Sequence, residues 1–227
     1  MDTHNNINVL VAEKALEILK KTLESTRFEG VWKKKDAIQI TDSMKADIMA
    51  IKFSYAENDS ISEITSPLKE KISRLQSALG EGWSSNFLSN SRKENKTTTK
   101  MAIGKIIFSM NILYFLDRRL KQDNRYGVDT FVGKILSVSK ASDSLLICNV
   151  DIKRAITVLT NDLSIREGDI IAVSILPPKE FYGHVSEGMF CGINGVLRIQ
   201  GEVGSKAEIP IDGYKETMNM VQDFLKH

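Results

Sequence analysis

The chain is poor in the residues that most secreted and metal-dependent proteins rely on. Only two cysteines occur among its 227 residues, Cys148 and Cys191, each inside an apolar run. That excludes a disulfide framework and fits two small buried thiols in a reducing compartment. The three histidines, His4, His184 and His227, are too scattered for a zinc or haem ligand set, so neither metal nor cofactor is expected. No apolar run approaches the ~20 residues of a membrane-spanning helix. The opening Met1-Asp-Thr-His-Asn-Asn lacks the basic flank and apolar core of a signal peptide, which predicts a cytoplasmic protein with no membrane partner. A Walker loop and a dinucleotide-type glycine pattern are also absent. His184 lies close to Ser186, yet no nucleophile elbow surrounds that serine, so the chain is not expected to be an enzyme.

What is present is an ordinary globular balance, 42% hydrophobic and 26% charged, with its charge unevenly divided. Met1 to Arg125 holds 21 Lys/Arg against 16 Asp/Glu, whereas Tyr126 to His227 holds 10 against 13. Within the first half, Ser91 to Arg125 carries nine cations against Glu94, Asp117 and Asp123. Such a stripe is either a solvated helix face or the electrostatic footprint of a nucleic-acid-binding surface.

Periodicity divides the chain at the same place. Residues 1–125 read as a helical domain. Ile7, Leu10, Val11, Ala15, Ile18 and Leu19 mark a first amphipathic helix. Met44, Ile48, Ile51 and Tyr55 mark a second, starting from Thr41 or Asp42. Ser66 and Pro67 predict the start of a third, with core residues Leu68, Ile72, Leu75 and Leu79 and a stop at Gly80. Glu81 to Asn95 reads as a loop that docks Trp83, Phe87 and Leu88. The longest helix then runs from Thr97 or Thr98 to near Gln122.

From Tyr126 the pattern turns to β. Strands are expected over Val128–Lys140, Leu145–Val150, Ala155–Thr160 and Ile170–Leu176, with Met189–Leu197 closing a small antiparallel barrel. A hairpin around Ile199–Ile211 and a final amphipathic helix through Tyr214, Met218, Val221 and Leu225 would complete residues 126–227. The expected fold class is α+β. Between the fourth strand and the barrel's closing strand lies Ile175-Leu-Pro-Pro-Lys-Glu-Phe-Tyr-Gly-His-Val-Ser-Glu-Gly-Met-Phe190, whose prolines, glycines and charges read as a presenting loop.

Three blocks of this half carry a family resemblance: Val128-Asp-Thr-Phe-Val-Gly-Lys-Ile-Leu136, Ser142-Asp-Ser-Leu-Leu-Ile-Cys-Asn-Val150, and Gly183-His-Val-Ser-Glu-Gly-Met189. In order and separation they resemble the tRNA-binding domain attached to some methionyl-tRNA synthetases and found in endothelial monocyte-activating polypeptide II, an oligonucleotide-binding (OB-fold) barrel. The succession of helical half and barrel also looks like a group of archaeal predicted RNA-binding proteins. The departures fall at polar positions. Phe131 and Ser144 stand where family members often carry cations, and Thr157-Val158-Leu159 replaces the usual Val-Ser-Gly.

The resemblance implies a non-catalytic protein that binds tRNA or another structured RNA through the barrel, with the basic helix beside it in sequence adding phosphate attraction. Expected phosphate partners are Lys134, Lys153, Arg154 and Lys179 in the barrel, and Arg118, Arg119, Lys121 and Arg125 in the helix. Ser186 and Glu187 would bond sugar or base edges, Gly188 would allow close approach, and Tyr182, with Phe181, would stack on a base. The alternative is an assembly module, forming a homodimer or attaching to an aminoacyl-tRNA synthetase through the apolar stretch Val196–Leu225.

Overall fold

The computed structural model describes residues 3–54, 59–122, 124–193 and 195–226. They form two compact units, Met1–Gly127 and Val128–His227.

The first unit contains helices α1 (Ile7–Ser25), α2 (Lys34–Lys52), α3 (Ile61–Leu79), α4 (Trp83–Asn90), α5 (Lys96–Tyr114) and α6 (Leu116–Lys121). Helix α1 packs against both α2 and α5, and α3 against α2, so the apolar stripes meet in one core. Leu19, Leu23, Met44, Ile48, Leu68, Leu75 and Ile106 are fully buried there, each worth about 1.5–3 kcal/mol relative to exposure.

Several boundaries differ from the sequence expectation, each for a local reason. Helix α2 begins at Lys34 because Thr41 is a buried mid-helix residue whose hydroxyl donates to the Ala37 carbonyl (2.8 Å) instead of capping. Tyr55, expected on this helix, lies outside the described residues. Helix α3 begins at Ile61 because Ile61 and Thr65 are both buried and extend the packed stripe N-terminally. Pro67 therefore sits inside the helix on an exposed face, where water can bond the carbonyl that loses its helical donor. The expected loop Glu81–Asn95 contains α4, nucleated where Phe87 is buried and stacks on Phe28 at 4.3 Å and 11°. The longest expected helix breaks at Phe115, separating α5 from α6.

The second unit holds β1 (Thr130–Ser142), β2 (Leu145–Asp151), β3 (Ala155–Thr160), β4 (Ile170–Phe181), β5 (His184–Phe190) and a C-terminal helix α7 (Lys215–Lys226). The strands form one antiparallel sheet in the order β3-β2-β1-β4-β5. On β2 and β3, Leu146, Cys148, Val150, Ile156 and Val158 alternate inward, while Asn149, Asp151 and Thr157 face outward. The expected presenting loop is instead the paired strands β4 and β5, joined by a tight turn at Tyr182 (φ 52°) and Gly183 (φ 80°). The pairing skips from Ile175↔Gly188 to Lys179↔Ser186 across Pro177 and Pro178, which have no N–H to offer a ladder.

Residues after β5 do not form the expected hairpin. They return to the sheet through two isolated bridges, Phe131↔Lys206 and Ile171↔Arg198. Ile199, Ala207 and Ile209 pack there against Val132 and Ala172. Helix α7 is held by a buried hydroxyl network: Thr217 Oγ1 donates to Ser174 Oγ (3.0 Å), which lies 2.7 Å from Thr130 Oγ1 and 3.1 Å from Cys191 Sγ.

Candidate nucleic-acid interface

Strands β3 and β5, the two edges of the sheet, are brought together by side chains instead of a backbone ladder. The Leu159 N–H donates to Ser186 Oγ (3.1 Å), and Ser186 Oγ donates to the Gly188 carbonyl (3.0 Å). One residue along, the Thr157 N–H donates to Glu187 Oε2 (3.0 Å), and Arg154 Nη1 reaches Glu187 Oε1 at 3.4 Å. Glu187 has no partner in the β4 register, which leaves its carboxylate for β3. A Cβ on Gly188 would lie 2.6 Å from the Ser174 carbonyl oxygen, so glycine is required there by the neighbouring strand. Ser186 and Glu187 thus staple the sheet's two edges together, and Gly188 is fixed by β4, where the sequence alone suggests ligand contacts.

The expected cations divide into engaged and available. Lys153 adopts φ 68° in the β2–β3 turn and pairs with Glu202 at 2.9 Å, while Arg154 pairs with Glu187. Lys134 is exposed on β1, registered opposite Asp151. Lys179 is exposed on β4, its ammonium 3.9 Å from Met220 Sδ of α7. Tyr182, at the hairpin tip, is 82% exposed, and neighbouring Phe181 is 43% exposed.

In the first unit Arg119 is only 1% exposed and its guanidinium donates to the Asn111 and Ile112 carbonyls at the end of α5. It caps the break at Phe115 and does not meet RNA as the sequence suggests, since a buried guanidinium has no path to a phosphate. Arg118 lies over the Phe115 ring (4.5 Å to its centroid) and Lys121 donates to Ser62 Oγ (2.6 Å). Arg125 has interactions of its own within the protein.

Beside Phe181 the second unit opens a cleft of about 560 Å³, walled by Leu159, Met189, Phe190 and Val196, with Asn161, Asp162 and Glu216 among its polar groups. Asp162 is held below its usual carboxylate range by hydrogen bonds from Ser164 and from the Val196 N–H (3.0 Å). It is therefore ionised at neutral pH and ties the cleft's two rims. Sequence reasoning missed this cleft because its lining comes from separated segments. The outward alternation of β2 and β3 was the one signal for part of it. Burial raises the Cys191 thiol above its ordinary value and pushes Cys148 up to about 11, so both stay protonated. Among the described residues no group of His, Cys, Asp and Glu could hold a metal, and no helix is long and apolar enough to cross a membrane.

Residues 1–122 match the family model described as "Alpha helical domain". The chain belongs to the alpha helical domain family. Residues 131–211 match a second model, "Putative tRNA binding domain", which covers the five-stranded sheet and the extension packed on it. Over 64 residues the chain is 38% identical to the phenylalanine–tRNA ligase beta subunit of Thermotoga maritima. That stretch covers 23% of this chain and 8% of the relative, so the chain spans a small part of that subunit's length. Neither matching family description names a catalytic activity.

Proposed function

We propose that the second unit is a non-catalytic module that binds tRNA or another structured RNA, in a cytoplasmic protein of the translation apparatus. The observation that carries this reading is the match of residues 131–211 to a tRNA binding domain family, over the five-stranded antiparallel sheet. The exposed groups beside the cleft suit that ligand. Lys179 offers a phosphate contact, Tyr182 and Phe181 offer rings for an unpaired base, and Lys134 offers a separate phosphate contact on β1, away from the cleft. Lys153 and Arg154 contribute less, because each must leave a carboxylate to reach a phosphate. Arg118, Lys121 and Arg125 of the helical unit are retained as phosphate partners, and Arg119 is not.

The reading is favoured over an assembly module by the fate of the C-terminal apolar stretch. Ile199, Ala207 and Ile209 spend their surface on the chain's own sheet, which leaves only Ile211 and Met218 of that stretch as exposed large apolar side chains among the described residues. A hydrolase reading is disfavoured by Ser186, whose hydroxyl is buried and committed to two backbone groups.

The test is fluorescence anisotropy of labelled tRNA titrated with the full chain across a salt series. Binding that weakens steeply with salt and drops several-fold on Lys179→Ala or Tyr182→Ala supports the proposal. A protein that sizes as a tight oligomer and ignores tRNA at low salt overturns it.

A further inference from the structure

A second surface, in the helical unit, has the composition of a nucleic-acid site and is assembled only by the fold. Residues 27–36 and 91–100 lie far apart in sequence and together hold eight cations against three carboxylates. The first segment is seated on α4 and on the turn that follows it. Phe28 stacks on Phe87, Asn90 Nδ2 donates to the Glu29 carbonyl (3.5 Å), and Arg92 Nε lies 3.5 Å from Glu29 Oε1. Trp32 and Trp83 both pack edgewise or tilted on Phe87 with centroids 5.8 Å away, and both remain partly exposed. Val31, beside them, is fully exposed.

The lysines around these rings are not explained by stability. Lys33, Lys35, Lys93 and Lys96 are exposed and make no ion pair among the described residues. Lys34 and Lys35 occupy the first turn of α2, and Lys96 opens α5, whose first turn has no acidic residue. Cations at these ends oppose the helix dipole, which favours carboxylates there. The peptide N–H groups and the ammonium groups therefore add to a positive field that Asp36, in the first turn of α2, and Glu94 offset only in part.

We infer that this aromatic and basic surface, Trp32 and Trp83 with Lys33, Lys35, Lys93 and Lys96 on the adjoining segments, binds an unpaired stretch of RNA. Its lysines track the sugar-phosphate backbone and its indole rings take the flat face of a base. Stacking platforms bordered by cations are how single strands are held without sequence readout. The surface goes beyond the RNA reading of the second unit and stands or falls independently of it.

The chain's two tryptophans are both in this surface, so intrinsic fluorescence reports on it alone. The full-length protein is titrated with an unlabelled oligouridylate of about 12 nucleotides. Expected is a saturable tryptophan quench that fades with salt. In the combined variant Lys33→Ala/Lys35→Ala/Lys93→Ala the affinity should fall about 10-fold or more, and the slope of log K against log salt should flatten by about 2. The matching Lys→Arg variant should restore binding, and circular dichroism should show all variants folded. Lys179→Ala, in the other unit, should leave the quench intact. Oligouridylate or tRNA binding by anisotropy with no tryptophan response, unchanged in the triple-alanine variant, overturns this surface while sparing the second unit's. A tryptophan response to phosphatidylserine vesicles but not to RNA overturns RNA as the occupant. A quench that persists where Lys179→Ala changes nothing in tRNA binding supports this surface and counts against the other.

Discussion

Both units pair some cations with carboxylates and expose others, and they differ in the company the exposed ones keep. In the second unit, whose sequence has more acids than bases, Lys153, Arg154 and Arg198 each sit within 3.4 Å of a carboxylate and hold the loops around the sheet. In the helical unit, Lys33, Lys35, Lys93 and Lys96 stand exposed around two indoles, while Arg119, in the middle of the richest basic stretch, is buried as a helix cap. A count of charge along the chain ranks the Ser91–Arg125 stretch highest, yet its members range from fully buried to fully exposed. What decides whether a cation can meet a phosphate is what it already touches, because an exposed ammonium gives up only water whereas a paired one gives up its partner.

That contrast is tested most sharply at Arg119. Arg119→Ala should destabilise the helical unit by roughly 3 kcal/mol, read by urea unfolding, because it removes the guanidinium donor from the Ile112 carbonyl, leaves the Asn111 carbonyl only its Phe115 N–H, and opens a cavity where the guanidinium packed. At temperatures where the variant is still folded its RNA affinity should be unchanged. A variant of normal stability with weakened RNA binding would restore Arg119 to the interface.

At the sheet closure, Ser186→Ala leaves the Leu159 N–H without an acceptor and should cost about 1–2 kcal/mol of stability in the same assay. Loss of RNA binding with stability untouched would mean that the hydroxyl meets ligand after all. Among the cations of the second unit, Lys179→Ala should weaken tRNA binding more than Lys153→Ala, and the difference should shrink if Glu202→Gln is introduced to release Lys153. Equal effects of the two lysine variants in the parent background would erase the distinction drawn between engaged and available cations.

A smaller effect is expected with pH. Asp162 and Asp169 are both held below the usual carboxylate range, Asp162 by its hydrogen bonds and Asp169 by bonds from Arg198 and the Arg166 N–H that outweigh its desolvation. A depressed native value means that these groups bind protons more readily in the unfolded chain. Their contribution is therefore complete above pH ~4 and is lost as pH falls through that value and below it. Thermal melts at pH 6 and at about pH 3 should show the loss, and Asp162→Asn should reduce it.

Some of the sheet's detail was legible in advance. The alternation of β2 and β3 and the division near residue 126 follow from periodicity, since burial of one face imposes a repeat of two on a strand and 3.6 on a helix. Helix starts were less legible. Thr41 and Ser66-Pro67 carry strong capping signals, and tertiary burial of Thr41, Ile61 and Thr65 overrode both. The site residues divided the same way. Lys134, Lys179 and Tyr182 are exposed as their types suggest, while Ser186 and Glu187 hold β5 to β3, a proximity that no short-range pattern records.

Composition, periodicity and motif order alone therefore established a helical half, a β half, two inert thiols and a resemblance to tRNA-binding barrels, because each follows from local chemistry repeated along the chain. Only the tertiary structure decided which polar groups are spent inside the protein and which face outward. It sealed Arg119 beneath a helix end, turned Glu187 toward β3, and gathered two distant basic segments around Trp32 and Trp83. The reason is that burial and pairing depend on neighbours that the fold brings from elsewhere in the chain.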